Sequence, residues 1–172
     1  LSIGICGNKP GNWKEKSRDL DFFDLKGIIE ILMDYIGARE YKIQKIELSF
    51  LKENMASAIN VHGKACGVFG EAKEDVSRKF DIKRKVYIAE ISLDDLLASV
   101  NLKKIFTALP KYPSIKRDIA ILLDDTITAS SIYDVIKEEA RELVESVDVF
   151  DLYKGQQIEV GKKSLAYTIE YR

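Results

Sequence analysis

Tyr153 and Asp151 stand two residues apart in the run Val149-Phe150-Asp151-Leu152-Tyr153, the spacing that puts two side chains on one face of a β-strand. An exposed ring there is a platform on which an unstacked base can lie, and the neighbouring carboxylate offers acceptor oxygens to a base edge. A structural reading stands beside this one. Tyrosine favours strands for packing alone, and aspartate near a strand end is often a turn residue. No other group of residues offers comparable chemistry. His62 is the only histidine, which excludes a multi-histidine metal site, and beside Gly63 it reads as a turn residue. Asp94-Asp95 and Asp124-Asp125 fall where helix caps and strand-end turns belong. Cys6 and Cys66 lack metal-ligand spacing and read as reduced thiols. Gly67 and Gly70 are too isolated for a phosphate loop, and close backbone packing in a hairpin explains them better. The expectation is a chain with no catalytic residue and no metal site.

Tyr153 needs strands to carry it. Strand patterns run over Lys116–Leu123, Glu145–Tyr153 and Ser164–Tyr171, with a helical pattern over Ser131–Leu143. This β-α-β-β order is the first two-thirds of a ferredoxin-like module. Alternation assigns Ile119, Ile121, Leu123, Phe150, Leu152, Leu165, Tyr167, Ile169 and Tyr171 to a helix-covered core. It leaves Asp118, Ala120, Leu122, Val149, Asp151, Tyr153, Ser164, Ala166 and Thr168 on the open face. Small residues around one aromatic would let a base approach the sheet. Lys154, Lys162 and Lys163 cluster beside Tyr153 and are placed to steer phosphates. Against that, residues 108–172 hold 9 Lys+Arg and 12 Asp+Glu, an acidic balance that argues for packing rather than phosphate binding.

Before this module the texture differs. Phe22, Leu25, Ile29, Leu32 and Ile36 recur at helical spacing, with Asp19 or Asp21 as cap and Gly37 at the C-terminal stop. Strand patterns follow over Lys42–Ser49, Ala58–His62, Ala65–Gly70 and Lys85–Ile91, with short helices over Glu74–Phe80 and Leu93–Val100. A Gly63-Lys64 turn joins two of the strands. Mixed strands and helices give an α+β layer arrangement. The prolines of Ala108-Leu109-Pro110-Lys111-Tyr112-Pro113 enforce extended backbone and mark a linker, which divides the chain into 1–107 and 108–172.

Composition is that of a globular protein, with 46% hydrophobic residues, 32% charged residues and a net charge of −1. No run is long and apolar enough to cross a bilayer as a helix, so no membrane partner is expected. The chain opens and stops inside strand-like runs, which reads as a piece of a longer protein.

Lys111-Tyr112-Pro113-Ser114-Ile115-Lys116-Arg117-Asp118-Ile119-Ala120, Val149-Phe150-Asp151-Leu152-Tyr153-Lys154-Gly155 and Gly161-Lys162-Lys163-Ser164-Leu165-Ala166 together resemble the anticodon-binding domain of bacterial phenylalanyl-tRNA synthetase β subunits. Asp21-Phe22-Phe23-Asp24-Leu25-Lys26-Gly27 is similar to the segment that opens the main helix of that subunit's catalytic-like module. One departure is Leu51-Lys52-Glu53-Asn54-Met55, where the family commonly has a His-Pro-Gly-like turn. The resemblance implies an α+β chain in which a non-catalytic class II synthetase-like module precedes a ferredoxin-fold anticodon-binding domain incomplete at its C-terminus. It implies a cytoplasmic α2β2 ligase that joins phenylalanine to its tRNA, with ATP and Mg2+ used by the α subunit and no cofactor in this segment. It also implies that Ala120, Asp151, Tyr153 and Ser164 touch the anticodon. The competing readings are a stand-alone non-enzymatic RNA-binding or protein-interaction module, and a structural piece whose open sheet packs on protein.

Overall fold

The computed structural model describes residues 1–38, 41–100, 111–155 and 157–172, and the chain separates by its contacts into two units, 1–106 and 107–172. The expected boundary at 107/108 and Pro110 of the linker lie outside the described residues. The first unit contains β1 (Ser2–Cys6), β2 (Asn8–Lys9), β3 (Arg18–Asp19), α1 (Phe22–Tyr35), β4 (Tyr41–Lys45), β5 (Leu51–Val61), β6 (Lys64–Ala72), α2 (Glu74–Arg78), β7 (Val86–Ile91) and α3 (Leu93–Ala98). Five of these strands form one antiparallel sheet in the order β1-β7-β6-β5-β4, and β2 and β3 form a separate hairpin.

Local chemistry sets the bounds of α1. Asp21 caps its start by accepting from the backbone N–H of Phe23 and Asp24, and Asp24 accepts in return from the Asp21 N–H at 2.8 Å, a reciprocal capping box. At the other end Gly37 takes φ 74°, while the N–H groups of Gly37 and Ala38 donate to Asp34 and Met33 carbonyls. That is a Schellman stop, which favours glycine at the left-handed position. Leu25, Ile29 and Met33, one per helical turn, are fully buried against Ile59, Val61, Phe69, Tyr87 and Ile91 of the sheet. Phe22 stacks on Phe69 with ring centroids 5.2 Å apart.

Arg18 grips the Asp24 carboxylate with two 2.6 Å hydrogen bonds. This bidentate contact, reinforced by the Asp21 N–H, lowers the Asp24 pKa from 3.8 to about 2. A carboxylate lowered in the folded state stabilises above its unfolded pKa and loses that contribution as pH falls through the folded value. The first unit is therefore expected to lose stability between pH 3.8 and about pH 2. In Asp24→Asn, denaturant titrations across that window should show this component missing; an unchanged pH profile would remove the argument. Asp21→Ala should cost about 1 kcal/mol by removing the side-chain cap, while the Asp24 contact to the residue-21 N–H remains.

The β5–β6 connection is a His62-Gly63 turn with φ of 50° and 80°, one residue earlier than the expected Gly63-Lys64. Two consecutive left-handed residues match the right-handed strand twist. Gly67 is required by close approach: a Cβ there would lie 2.6 Å from the Glu90 carbonyl oxygen and 3.1 Å from the Ile91 Cα. The Leu51–Met55 segment is not a turn but the start of β5, with a register irregularity between Leu51 and Ala56 and Asn54 at φ 63°.

The second unit contains β8 (Ile115–Asp124), α4 (Ala129–Ala140), a 3-10 turn (Arg141–Leu143), β9 (Val144–Tyr153) and β10 (Lys162–Tyr171). α4 starts earlier than its periodicity predicts because Thr128 caps it by accepting from the Ser131 N–H. Its sheet has the order β8-β10-β9, antiparallel throughout. Leu165, Tyr167 and Ile169 of β10 are buried, and the Tyr167 hydroxyl donates to the Ala129 carbonyl at the start of α4. The chain is thus a mixed α+β protein built on antiparallel sheets. No helix among the described residues is long and apolar enough to cross a membrane.

The expected core assignment for this sheet fails in part: Ile119 and Leu152 lie on the side of Tyr167 and Leu165 but remain 38% and 55% exposed, and β9 departs from simple alternation. A bulge separates the Ala166↔Asp151 pair from the Tyr167↔Val149 pair, so Phe150 is the extra residue of β9. A single inserted residue reverses the face of everything beyond it. Val149 therefore shares the helix-covered side with Tyr167 instead of the open face. Phe150 is no core residue and remains 58% exposed.

Candidate nucleic-acid interface

Cross-strand pairing assembles the open face of the second unit in rows. Ala166, on central strand β10, pairs with Ala120 on β8 and with Asp151 on β9. In the next row Ser164 pairs with Leu122 and with Tyr153. All four residues singled out in the sequence, Ala120, Asp151, Tyr153 and Ser164, thus fall in two adjacent rows. Directly opposed side chains in such rows lie about 5 Å apart, and residues two strands apart about 10 Å, the scale of one or two bases.

The rows differ in what their polar groups already do. Toward one end, Thr168 donates to Asp118 at 2.7 Å. Glu170 accepts from Ser114 and from Ser146, with Lys116 3.7 Å away. These contacts, the Ser114 hydroxyl foremost, hold the Glu170 carboxyl below its usual range. At the other end, the Asp151 carboxylate, the Tyr153 hydroxyl and the Ser164 hydroxyl have no side-chain partner among the described residues. Asp151 and Tyr153 are exposed, and Ser164 is partly so. Unsatisfied donors and acceptors on an open, shallow face are what a base edge requires.

The lysines expected to steer phosphates are engaged within the chain. Lys154 pairs with the Asp125 carboxylate at 2.7 Å, Lys163 donates to the Asp125 carbonyl at 2.8 Å, and Lys162 pairs with Glu159 at 2.6 Å. Their hydrogen bond raises the Lys162 pKa and lowers that of Glu159. The Lys154 and Lys163 contacts tie both ends of the β9–β10 connection to Asp125, just after β8. Exposed pairs of this kind contribute little to stability.

Two further residues shape the face: Ala166, which alternation put on it without a contact role, and Gly155, which sequence reasoning missed. Ala166, between Ala120 and Asp151, keeps the centre of the face low. Its alternation phase was the available signal. Gly155 lies against the Tyr153 ring, where a Cβ would sit 2.6 Å from the phenolic Cζ. Only glycine leaves the ring its present place, and the Tyr153-Lys154-Gly155 spacing was the visible hint. Elsewhere, no cluster of three or more His, Cys, Asp or Glu side chains among the described residues could hold a metal ion.

Comparison with known proteins identifies the family of both units. Residues 110–172 match the ferredoxin-fold anticodon binding domain, and residues 1–93 match the phenylalanyl tRNA synthetase beta chain CLM domain. Over 178 residues the chain is 35% identical to a phenylalanine–tRNA ligase beta subunit of Clostridium acetobutylicum, covering all of this chain and 20% of that protein. It is 38% identical over 156 residues to the beta subunit of Clostridium tetani and 36% identical over 160 to that of Bacillus subtilis. These alignments cover 90% and 92% of this chain and 20% of each relative. The chain therefore spans about a fifth of the length of the curated relatives it matches. With both of its units matched in order, the chain belongs to the phenylalanyl-tRNA synthetase beta-chain family.

Proposed function

We propose that this chain is the part of a phenylalanine–tRNA ligase β subunit that contacts the tRNA anticodon, with Ala120, Asp151, Tyr153 and Ser164 as the contacting residues. The observation that carries the reading is the two-row face on which these four lie together with their polar groups unspent. Tyr153 supplies a stacking surface, Asp151 and Ser164 supply hydrogen bonds to base edges, and Ala120 with Ala166 keeps the sheet low enough for a base to reach them.

The first unit serves as a scaffold with the architecture of a class II synthetase catalytic module that does no chemistry. Its antiparallel sheet with α1 across one face supports that assignment. In this reading an α subunit, in a cytoplasmic α2β2 assembly, joins phenylalanine to the tRNA. ATP and Mg2+ would act there.

The test is a titration, at fixed salt, of the complete ligase carrying this chain with two phenylalanine tRNAs that differ only in the anticodon. Each altered anticodon base that contacts this face should weaken binding about ten-fold or more, because a base-edge hydrogen bond is left unpaired. Equal affinity for both tRNAs would overturn the anticodon assignment and favour a sheet that packs on protein.

A further inference from the structure

The β2–β3 hairpin ends in a loop whose most prominent side chain packs on nothing. Trp13 is the one tryptophan in the sequence and is 95% exposed, although an indole is among the costliest surfaces to leave in water. The loop that presents it is ordered by its own bonds. Asn12 Oδ1 accepts from the N–H groups of Lys14 and Glu15 at 2.8 and 2.9 Å, and the Asn12 N–H donates to the Glu15 carbonyl at 2.9 Å. Ser17 Oγ donates to the Lys9 carbonyl at 3.1 Å. Gly11 lets the two arms meet, since a Cβ there would lie 2.7 Å from the Ser17 nitrogen. The indole is thus held out by a preorganised support, which lowers the cost of binding through it.

Charge says what kind of partner fits. The hairpin and the glycine before it, residues 7–19, contain Lys9, Lys14, Lys16 and Arg18 against Glu15 near the tip and Asp19 at the base, where Asp19 accepts from Asn8, in a chain whose net charge is −1. Lys9 pairs with Glu15 and Arg18 with Asp24, whereas Lys14 and Lys16 have no carboxylate partner among the described residues. At the base of the hairpin, Arg84 donates to Asn8 Oδ1 at 2.8 Å. That contact brings up segment 78–85, in which Arg78, Lys79, Lys83, Arg84 and Lys85 face one acid, Asp81. Protein interfaces favour tryptophan at their cores but are depleted in lysine. Surfaces that bind single-stranded RNA combine aromatic platforms with cations that follow the backbone.

We infer that the Trp13 hairpin is a second RNA-contacting element of this chain, on which the indole stacks against an unpaired base while Lys14 and Lys16 hold the adjoining phosphates. The identity of the RNA as a tRNA rests on the function proposed above; the hairpin's own chemistry requires only RNA with an unstacked base.

Because Trp13 is the sole tryptophan, the fluorescence of the 172-residue chain reports on this loop alone. Titration with phenylalanine tRNA at fixed low salt should quench that emission. Trp13→Ala should weaken binding of labelled tRNA by roughly five-fold or more. Lys14→Ala and Lys16→Ala should each reduce the salt slope of log K by about 0.7–1. Denaturant stability should not change, since the indole buries nothing. Tyr153→Ala serves as the comparison. If emission is unaffected by tRNA and Trp13→Ala binds normally while Tyr153→Ala loses affinity, this inference falls and the anticodon reading stands. If quenching persists without any dependence on the anticodon or Tyr153, the anticodon reading falls and the hairpin site stands. If Trp13→Ala leaves RNA affinity intact but weakens assembly with the catalytic subunit, the hairpin is a protein interface and the inference is overturned.

Discussion

Tyr167→Ala is expected to unfold residues 107–172 while leaving the five-stranded sheet of residues 1–106 intact. Tyr167 is fully buried, and the only other buried apolar side chains described in this unit are Val144, Leu165 and Ile169. α4 contributes no fully buried residue of its own, which leaves Tyr167 as the largest fully buried side chain of the unit. Truncating a buried aromatic costs about 3–5 kcal/mol, against a total stability of roughly 3–10 kcal/mol for a unit of this size. Tyr167→Phe should cost only about 1 kcal/mol, because it removes just the 3.2 Å hydroxyl bond to the Ala129 carbonyl. Amide NMR spectra would show collapsed dispersion for the 107–172 resonances alone in the alanine variant. A variant that keeps native dispersion and loses less than about 1 kcal/mol would mean that the core lies elsewhere.

The second large effect concerns binding without folding. Tyr153→Ala should lower RNA affinity roughly 5- to 150-fold, the range that corresponds to one lost stacking partner. Stability should barely change, since the ring is 42% exposed. Gly155→Ala should lower affinity in the same direction with Tyr153 still present, because the new methyl must push the ring aside: its Cβ falls 2.6 Å from the Tyr153 Cζ. Ala166→Leu should act likewise by raising the floor between Ala120 and Asp151. Lys154→Ala, which breaks an exposed pair with Asp125, should cost at most about 1 kcal/mol. Binding isotherms and denaturant midpoints for the four variants separate these effects. Equal affinity loss for Lys154→Ala and Tyr153→Ala would point to phosphate steering and away from stacking. No loss for any of the four would remove this face from RNA binding altogether.

The engaged lysines and the unspent Asp151–Tyr153–Ser164 group bear on how the proposed contact would let an acidic unit meet a polyanion. Its 9 cations against 12 anions leave little long-range attraction. In the proposed anticodon contact, discrimination at the sheet would therefore rest on short-range stacking and base-edge contacts, while the cationic surplus of residues 7–18 and 78–85 sits in the other unit.

Much of this was determined by the sequence alone, because the causes lie within a few residues. Asp21, Asp24 and Gly37 bound α1 through caps that involve only near neighbours. Two-residue alternation placed Ala120, Asp151, Tyr153, Ser164 and Ala166 on one face, and three spaced motifs marked the family. What only the tertiary structure decided depends on partners far along the chain. The bulge at Phe150 exists only in the pairing of β9 with β10, so alternation along β9 alone put Val149 and Phe150 on the wrong sides. The lysines beside Tyr153 look available until Asp125 and Glu159 are brought to them. The requirement for Gly67 appears only when β7 lies alongside it, and the exposure of Trp13 only when the core closes without it. Periodicity and capping are properties of neighbouring residues. Register, ion pairing and solvent exposure belong to segments that meet only when the chain is folded.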